Sequence, residues 1–194
     1  MIHTDAFGGK MIKMSTCIVS KYFDDICEEL GKSNMARIHD LSDRILACSE
    51  KGGKIIIVGN GGSAAIASHV TVDLTKTCNI RAVNFNEADL LTCFSNDYGY
   101  ENWVVEALKS YMDQQDLVIL ISSSGNSMNM VNASKFLNEK LIEYATFTGF
   151  QRESKINQIS SNNFWVNSGN YNVVEMVHQI WLLSIVEKLS DQRI

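Results

Sequence analysis

Short continuous apolar runs, separated by longer stretches with helical spacing, organise this chain. Residues 55–58 (IIIV), 117–121 (LVILI) and 142–148 (IEYATFT) are runs of this kind, and 80–86 (IRAVNFN) and 163–167 (NFWVN) are weaker ones. Runs of this length, rich in β-branched residues and bounded by turn formers, predict strands buried on both faces of a parallel sheet. Between them apolar positions recur every three to four residues. From about residue 12 to Leu30 the stripe is Ile18, Tyr22, Phe23, Ile26 and Leu30, with Gly31 expected as the C′ residue. Ser33 or Asn34 is expected to cap a second helix through Ile38, Leu41, Ile45, Leu46 and Cys48, before Gly52 and Gly53.

Further helices are expected over 64–75, 87–93, 101–112, 128–140 and 171–189. The composition of 95–100 (SNDYGY) predicts a polar turn, and 151–161 is polar without a clear period. Strands alternating with helices predict an α/β fold. The expected form is a three-layer α/β/α sandwich on a mainly parallel five-stranded sheet, preceded by two helices. One domain is expected over 1–194, with 1–11 as a frayed lead-in. In such sheets ligands bind beyond the carboxyl ends of the strands.

The totals narrow the function. A net charge of −5 over 194 residues argues against a general nucleic-acid or membrane-surface binder. No apolar run approaches a membrane span, and the first sixteen residues lack the apolar core of a signal peptide. The five cysteines have no paired metal-type spacing and are read as inert thiols of a reducing cytoplasm.

Two turns carry the candidate chemistry. After the first strand comes Gly59-Asn60-Gly61-Gly62-Ser63, which leads directly into a helix expected to be capped near Gly62 or Ser63. Glycines let the backbone approach a ligand, and the N–H groups of a helix N-terminus favour an anion. The same helix carries His69 and Asp73 on one face, at i,i+4 spacing. After the third strand comes Ser122-Ser123-Ser124-Gly125-Asn126-Ser127. Four hydroxyls before a helix exceed what one cap uses and suit the terminal oxygens of a phosphate monoester. The first turn also fits a loose dinucleotide fingerprint, but no clear ribose-binding acid ends the second strand. That reading also leaves the serines without a role, so no nucleotide cofactor is expected. Asn96 and Asp97 fit a turn, yet lie after the second strand within reach of a sugar. Glu175 and His178, one turn apart in an apolar helix, suggest a lined pocket or a subunit contact, and Trp181 suggests core.

GNGGSAAIASH, SNDYGYE and ISSSGNS occur here in the order seen in the sugar isomerase (SIS) domain, and the chain resembles that family from about Gly52 to Lys188. Within the family it resembles the phosphoheptose isomerases, which interconvert sedoheptulose 7-phosphate and glycero-manno-heptose 7-phosphate. The resemblance implies substrate binding by Asn60, Gly61, Gly62 and Ser63, sugar contacts from Asn96 and Asp97, and a phosphate cradle of Ser122, Ser123, Ser124 and Ser127. It also implies a zinc ion held by two histidines, a glutamate and a glutamine. His69 matches one ligand, and Asp73 stands where the family's acid/base glutamate stands. On the last helix, placement without gaps puts Asn172 and Ile180 at the glutamine and second histidine positions. A two-residue shift puts Asn170 and His178 there instead.

The expected catalytic residues are therefore Asp73, as base, and His178, and the expected metal ligands are His69, Asp73 and His178. The expected protein is a cytoplasmic homo-oligomer, most simply a tetramer, whose partner is a small sugar phosphate. A non-catalytic phosphosugar-binding regulator or scaffold of the same domain is the alternative.

Overall fold

The computed structural model describes residues 17–191. The expected lead-in over 1–11, and the first residues of the expected opening helix, lie outside that range. Two helices, α1 (Ile18–Gly31) and α2 (Met35–Glu50), precede β1 (Ile55–Gly59). Then follow α3 (Gly62–Lys76), β2 (Ala82–Val83), α4 (Ala88–Tyr98), α5 (Trp103–Tyr111), β3 (Leu117–Ser122) and α6 (Met128–Glu139). The chain continues through β4 (Glu143–Thr148), α7 (Lys155–Ile159) and β5 (Asn163–Trp165) to α8 (Tyr171–Asp191). The sheet order is β2-β1-β3-β4-β5, and every pairing is parallel.

The strands read as unbroken apolar runs because both faces are covered. Ile55 and Ile57 point into a core shared with α2, α3 and α8, whereas Ile56 and Val58 point into one shared with α5 and α6. The three-layer sandwich expected from the alternation of elements is the observed fold.

Local expectations fail where side chains redirect the backbone. Asn34 caps α2, its Oδ1 accepting from the Arg37 N–H at 3.2 Å. Gly31, however, lies inside α1, which ends at Lys32 in a right-handed conformation. The second strand keeps only two residues. The Asn84 side chain accepts from the Asn86 N–H (3.0 Å), turning the chain out of the ladder, and Asn86 Nδ2 donates to Ala64 O and Ser68 Oγ of α3. The expected polar turn at 95–100 is instead mostly the last turn of α4, which stops at Gly99 with φ 82°.

The amino ends of β1 and β3 are tied by one carboxylate. Asp116, 2% exposed, accepts from the Lys54 N–H (2.9 Å), the Asp113 N–H (2.8 Å) and the Lys54 ammonium. Burial works against the Lys54 charge, but hydrogen bonds to Asp116 and Asp113 more than offset it, and its pKa lies above the ordinary value. Asp116→Ala would leave these donors without their acceptor and is expected to cost about 3 kcal/mol of stability. Urea denaturation measures this, and an unchanged midpoint would refute it.

Candidate functional site

Neighbouring pairs fix where the two turns meet. Gly59 is opposite Ile121 in the β1–β3 ladder, so the glycine turn and the serine loop leave adjacent strand ends. This is also where the strand order reverses, since β2 lies to one side of β1 and β3 to the other. The turn is tight. A Cβ at Gly59 would sit 2.5 Å from the Ser63 carbonyl carbon, and Gly61 has φ 54°. Gly61 is the cap of α3, one position before the nearer of the two expected caps, Gly62 and Ser63.

The two turns enclose a cavity of about 110 Å³, lined by Asn60, Ser63, Ile121, Ser122, Ser123, Ser124, Ser127, Tyr171 and Glu175. The hydroxyls of Ser122 and Ser123 are buried and find no hydrogen-bond partner among the described residues. Ser127 precedes α6 without capping it through its side chain. Only Ser124 Oγ accepts locally, from the Asn126 N–H at 3.3 Å. A buried hydroxyl without a partner costs stability until a ligand or water completes it, and those of Ser122 and Ser123 line the cavity.

Asn60 is held in place by a reciprocal amide pair with Asn129, at 3.1 and 2.9 Å, and its Oδ1 also accepts from the Tyr100 hydroxyl at 3.1 Å. Asn129 is 1% exposed and Tyr100 is exposed. Neither was among the expected site residues, although Tyr100 lies inside the SNDYGYE motif. Asn96 and Asp97, expected as sugar contacts, are instead exposed on α4. They bond to each other at 2.9 Å and do not line the cavity. The polar run continues the helix and swings them outward.

Glu175 forms the opposite wall. A Cβ on Gly62 would collide with its carboxylate, so this acid packs directly on the N-terminus of α3. It is the one carboxylate lining the cavity, and burial raises its pKa.

The remaining candidates stand elsewhere. His69 Nε2 lies 3.2 Å from Asp73 Oδ2, and its Nδ1 lies 3.0 Å from Gln179 Nε2. Gln179 was missed in the sequence because only the packing of α8 on α3 brings it there. His178 does not join them. It is fully buried against Phe147 and Trp181, its Nε2 bonded to Thr148 O at 3.0 Å. Burial lowers its pKa to about 4. The expectation of His178 as a catalytic group and zinc ligand is corrected accordingly: its register on α8 points into the core.

Residues 20–142 match the family model of the SIS domain. The chain belongs to the SIS domain family. The phosphoheptose isomerase of Thermodesulfovibrio yellowstonii is 30% identical over 138 residues, covering 68% of this chain and 69% of that protein. That of Aliarcobacter butzleri is 27% identical over 180 residues, 90% of each. The structure of phosphoheptose isomerase from Neisseria gonorrhoeae superposes with a TM-score of 0.82 at 22% identity, over 90% of this chain and 97% of that one.

The zinc site that the SIS resemblance implies does not fit the residues of one chain. Both ring nitrogens of His69 are already engaged, His178 is in the core, and no group of three His, Cys, Asp or Glu suited to a metal occurs among the described residues.

Ser123→Ala deletes a buried hydroxyl without a partner. It is expected to leave thermal stability unchanged or higher, while weakening binding of a phosphate monoester about tenfold, as read by calorimetry. Equal phosphate affinity would remove Ser123 from the site. His178 titrates near 6.5 when unfolded and near 4 when folded, so below pH 6.5 the unfolded chain binds more protons. Its contribution is full above that pH and falls as pH drops towards 4, by about 2 kcal/mol between pH 7.5 and 5. Urea midpoints across that range should carry this slope in the native protein and lose it in His178→Asn.

Proposed function

We propose that this protein isomerises a phosphosugar, converting sedoheptulose 7-phosphate to glycero-manno-heptose 7-phosphate. The observation that carries this reading is the pair of buried, unpartnered hydroxyls of Ser122 and Ser123 in a cavity of phosphate size. The named activity of the relatives supplies the heptose. The serine loop and the N-terminus of α6 hold the phosphate, and remote binding of this kind positions the reacting carbons.

Aldose–ketose isomerisation moves a proton between adjacent carbons through a cis-enediol. Glu175 is placed to do this. As carboxylate it takes the proton from the carbon next to the carbonyl, and as acid it returns that proton to the former carbonyl carbon. The hydroxyl proton passes from one enediol oxygen to the other, so one C–H and one O–H bond break and one of each forms. Its raised pKa brings the two forms closer in energy at neutral pH. The positive end of the α3 dipole stabilises charge on the enediolate oxygens. Tyr100 and Asn129 act through Asn60, fixing which way its amide faces.

Asp73, the base expected from the resemblance, lies ten residues beyond Ser63 on α3. That is about 15 Å of helix rise, and Asp73 does not line the serine cavity. It reaches a substrate only if a second copy presents it. Val72, Met176 and Ile180, exposed around the His69–Asp73–Gln179 cluster, are the apolar surface such a contact would bury. We therefore propose a homo-oligomer, taken as a tetramer, working in a reducing cytoplasm. Cys17, Cys27 and Cys93 are exposed free thiols rather than inert in the core, which fits such a compartment.

The alternative, a non-catalytic phosphosugar-binding regulator, is favoured by one observation: His178 stands apart from the His69–Asp73 pair, so the three expected metal ligands do not meet. Proton NMR with sedoheptulose 7-phosphate separates the two. Conversion is expected, and saturable binding without conversion selects the regulator. Glu175→Gln is expected to lower kcat by about 10²–10⁴-fold with phosphate binding retained. If Asp73→Asn abolishes turnover while Glu175→Gln does not, the base is Asp73 from a partner copy.

A further inference from the structure

A second polar hollow lies at the β5 edge of the sheet, apart from the serine cavity. Two cavities of about 290 and 270 Å³ share three lining residues: Arg37 from α2, Arg152 from the β4–α7 loop, and Trp165 from β5. Each guanidinium lies over an aromatic ring, Arg37 at 5.0 Å from the centre of Phe164 and Arg152 at 4.8 Å from the centre of Trp165. Stacking of this kind holds a guanidinium in place while leaving its edge N–H groups for an incoming acceptor.

Neither arginine has a carboxylate partner among the described residues. Arg37 donates only to the neutral Asn162 Oδ1, at 3.2 Å. The smaller cavity has no acidic residue in its wall; its other polar groups are Asn157, Ser161 and Asn163. The larger has Glu29, but that carboxylate is already engaged, accepting from the Lys32 ammonium at 2.7 Å and the Asn167 N–H at 2.9 Å. The indole N–H of Trp165 is shielded from solvent and has no acceptor among the described residues. Two like charges facing one hollow, in a chain of net charge −5, repel one another until an anion lies between them.

We propose that Arg37, Arg152 and Trp165 form a second binding site, selective for the oxyanion of a phosphorylated small molecule. The planar guanidinium fork matches phosphate oxygens in pairs, which a surface lysine cannot do. The Asn163 amide is spent inside the fold, donating to Thr146 Oγ1 and Thr148 Oγ1, and Asn157 Nδ2 donates to Arg152 O, so the guanidinium edges and the Trp165 indole are the donors this site offers. The serine cavity binds phosphate with neutral groups at the switch point; this site binds it with charge at the sheet edge, so the two differ in salt dependence.

The test uses the full-length protein labelled with ¹⁵N and inorganic pyrophosphate as probe. The Trp165 indole N–H signal, assigned by its loss in Trp165→Phe, is followed during titration at constant ionic strength. A saturable shift is expected, with a midpoint at least tenfold higher in Arg37→Ala/Arg152→Ala and unchanged in Ser123→Ala. Arg37→Lys/Arg152→Lys keeps the charge without the fork and guards against a folding defect in the alanine variant. Its midpoint should also rise. No saturable shift, or one that sodium chloride reproduces, overturns the site. So does a midpoint that follows Ser123 instead of the arginines.

Discussion

The parallel register of β1 against β3 is the constraint on which the site depends. With Gly59 opposite Ile121, the glycine turn and the serine loop have no choice but to emerge side by side. Each leads into a helix, and Ser63 and Ser127 at the two helix starts line the same small space. The Asp116 carboxylate secures that register from the other end by joining β1 and β3 before either strand begins. A slip of one residue would turn Ile55 and Ile57 to the wrong core and separate the two turns.

Helix α8 then decides which chemistry faces that space. Its buried stripe of Val173, Val177, Trp181, Leu182 and Ile185 packs the helix onto the sheet and onto α3. Once that stripe is fixed, neighbouring positions are assigned by helical geometry. Glu175 falls on the start of α3 and Gln179 falls on His69, while His178 is carried inward beside Phe147. An acid with a raised pKa at the cavity and a histidine held neutral in the core are two outcomes of one packing arrangement.

The serine loop illustrates a trade between stability and readiness. Gly125 takes φ 63° in a space where a Cβ would strike Ser154, and the loop is pinned by the Gly149 N–H donating to Ser123 O at 2.8 Å. The backbone is thereby satisfied, and the side-chain hydroxyls are left over. Polar groups buried without partners destabilise a fold, and they persist where a ligand completes them.

Much of this was legible in the chain itself. Continuous β-branched runs such as 55–58 and 117–121 can only be buried on both faces, which settled the parallel sheet. The two donor-rich turns after them marked the ligand site, because local composition alone makes a glycine turn and a serine loop unlike ordinary caps. What needed the folded molecule was every placement that depends on distant segments. Asn96 and Asp97 read as a turn until α4 absorbed them, and Gln179 and Asn129 carry no local signature. His178 stands out in the sequence as a polar residue in an apolar stretch that one placement matches to the SIS histidine; its neighbours in space are apolar, and its ring is buried away from the serine cavity. Sequence fixes what one strand, turn or helix can do, because those preferences are local. Which side chains meet is set by how α8, α3 and the strand ends pack, and that free energy belongs to contacts across the whole chain.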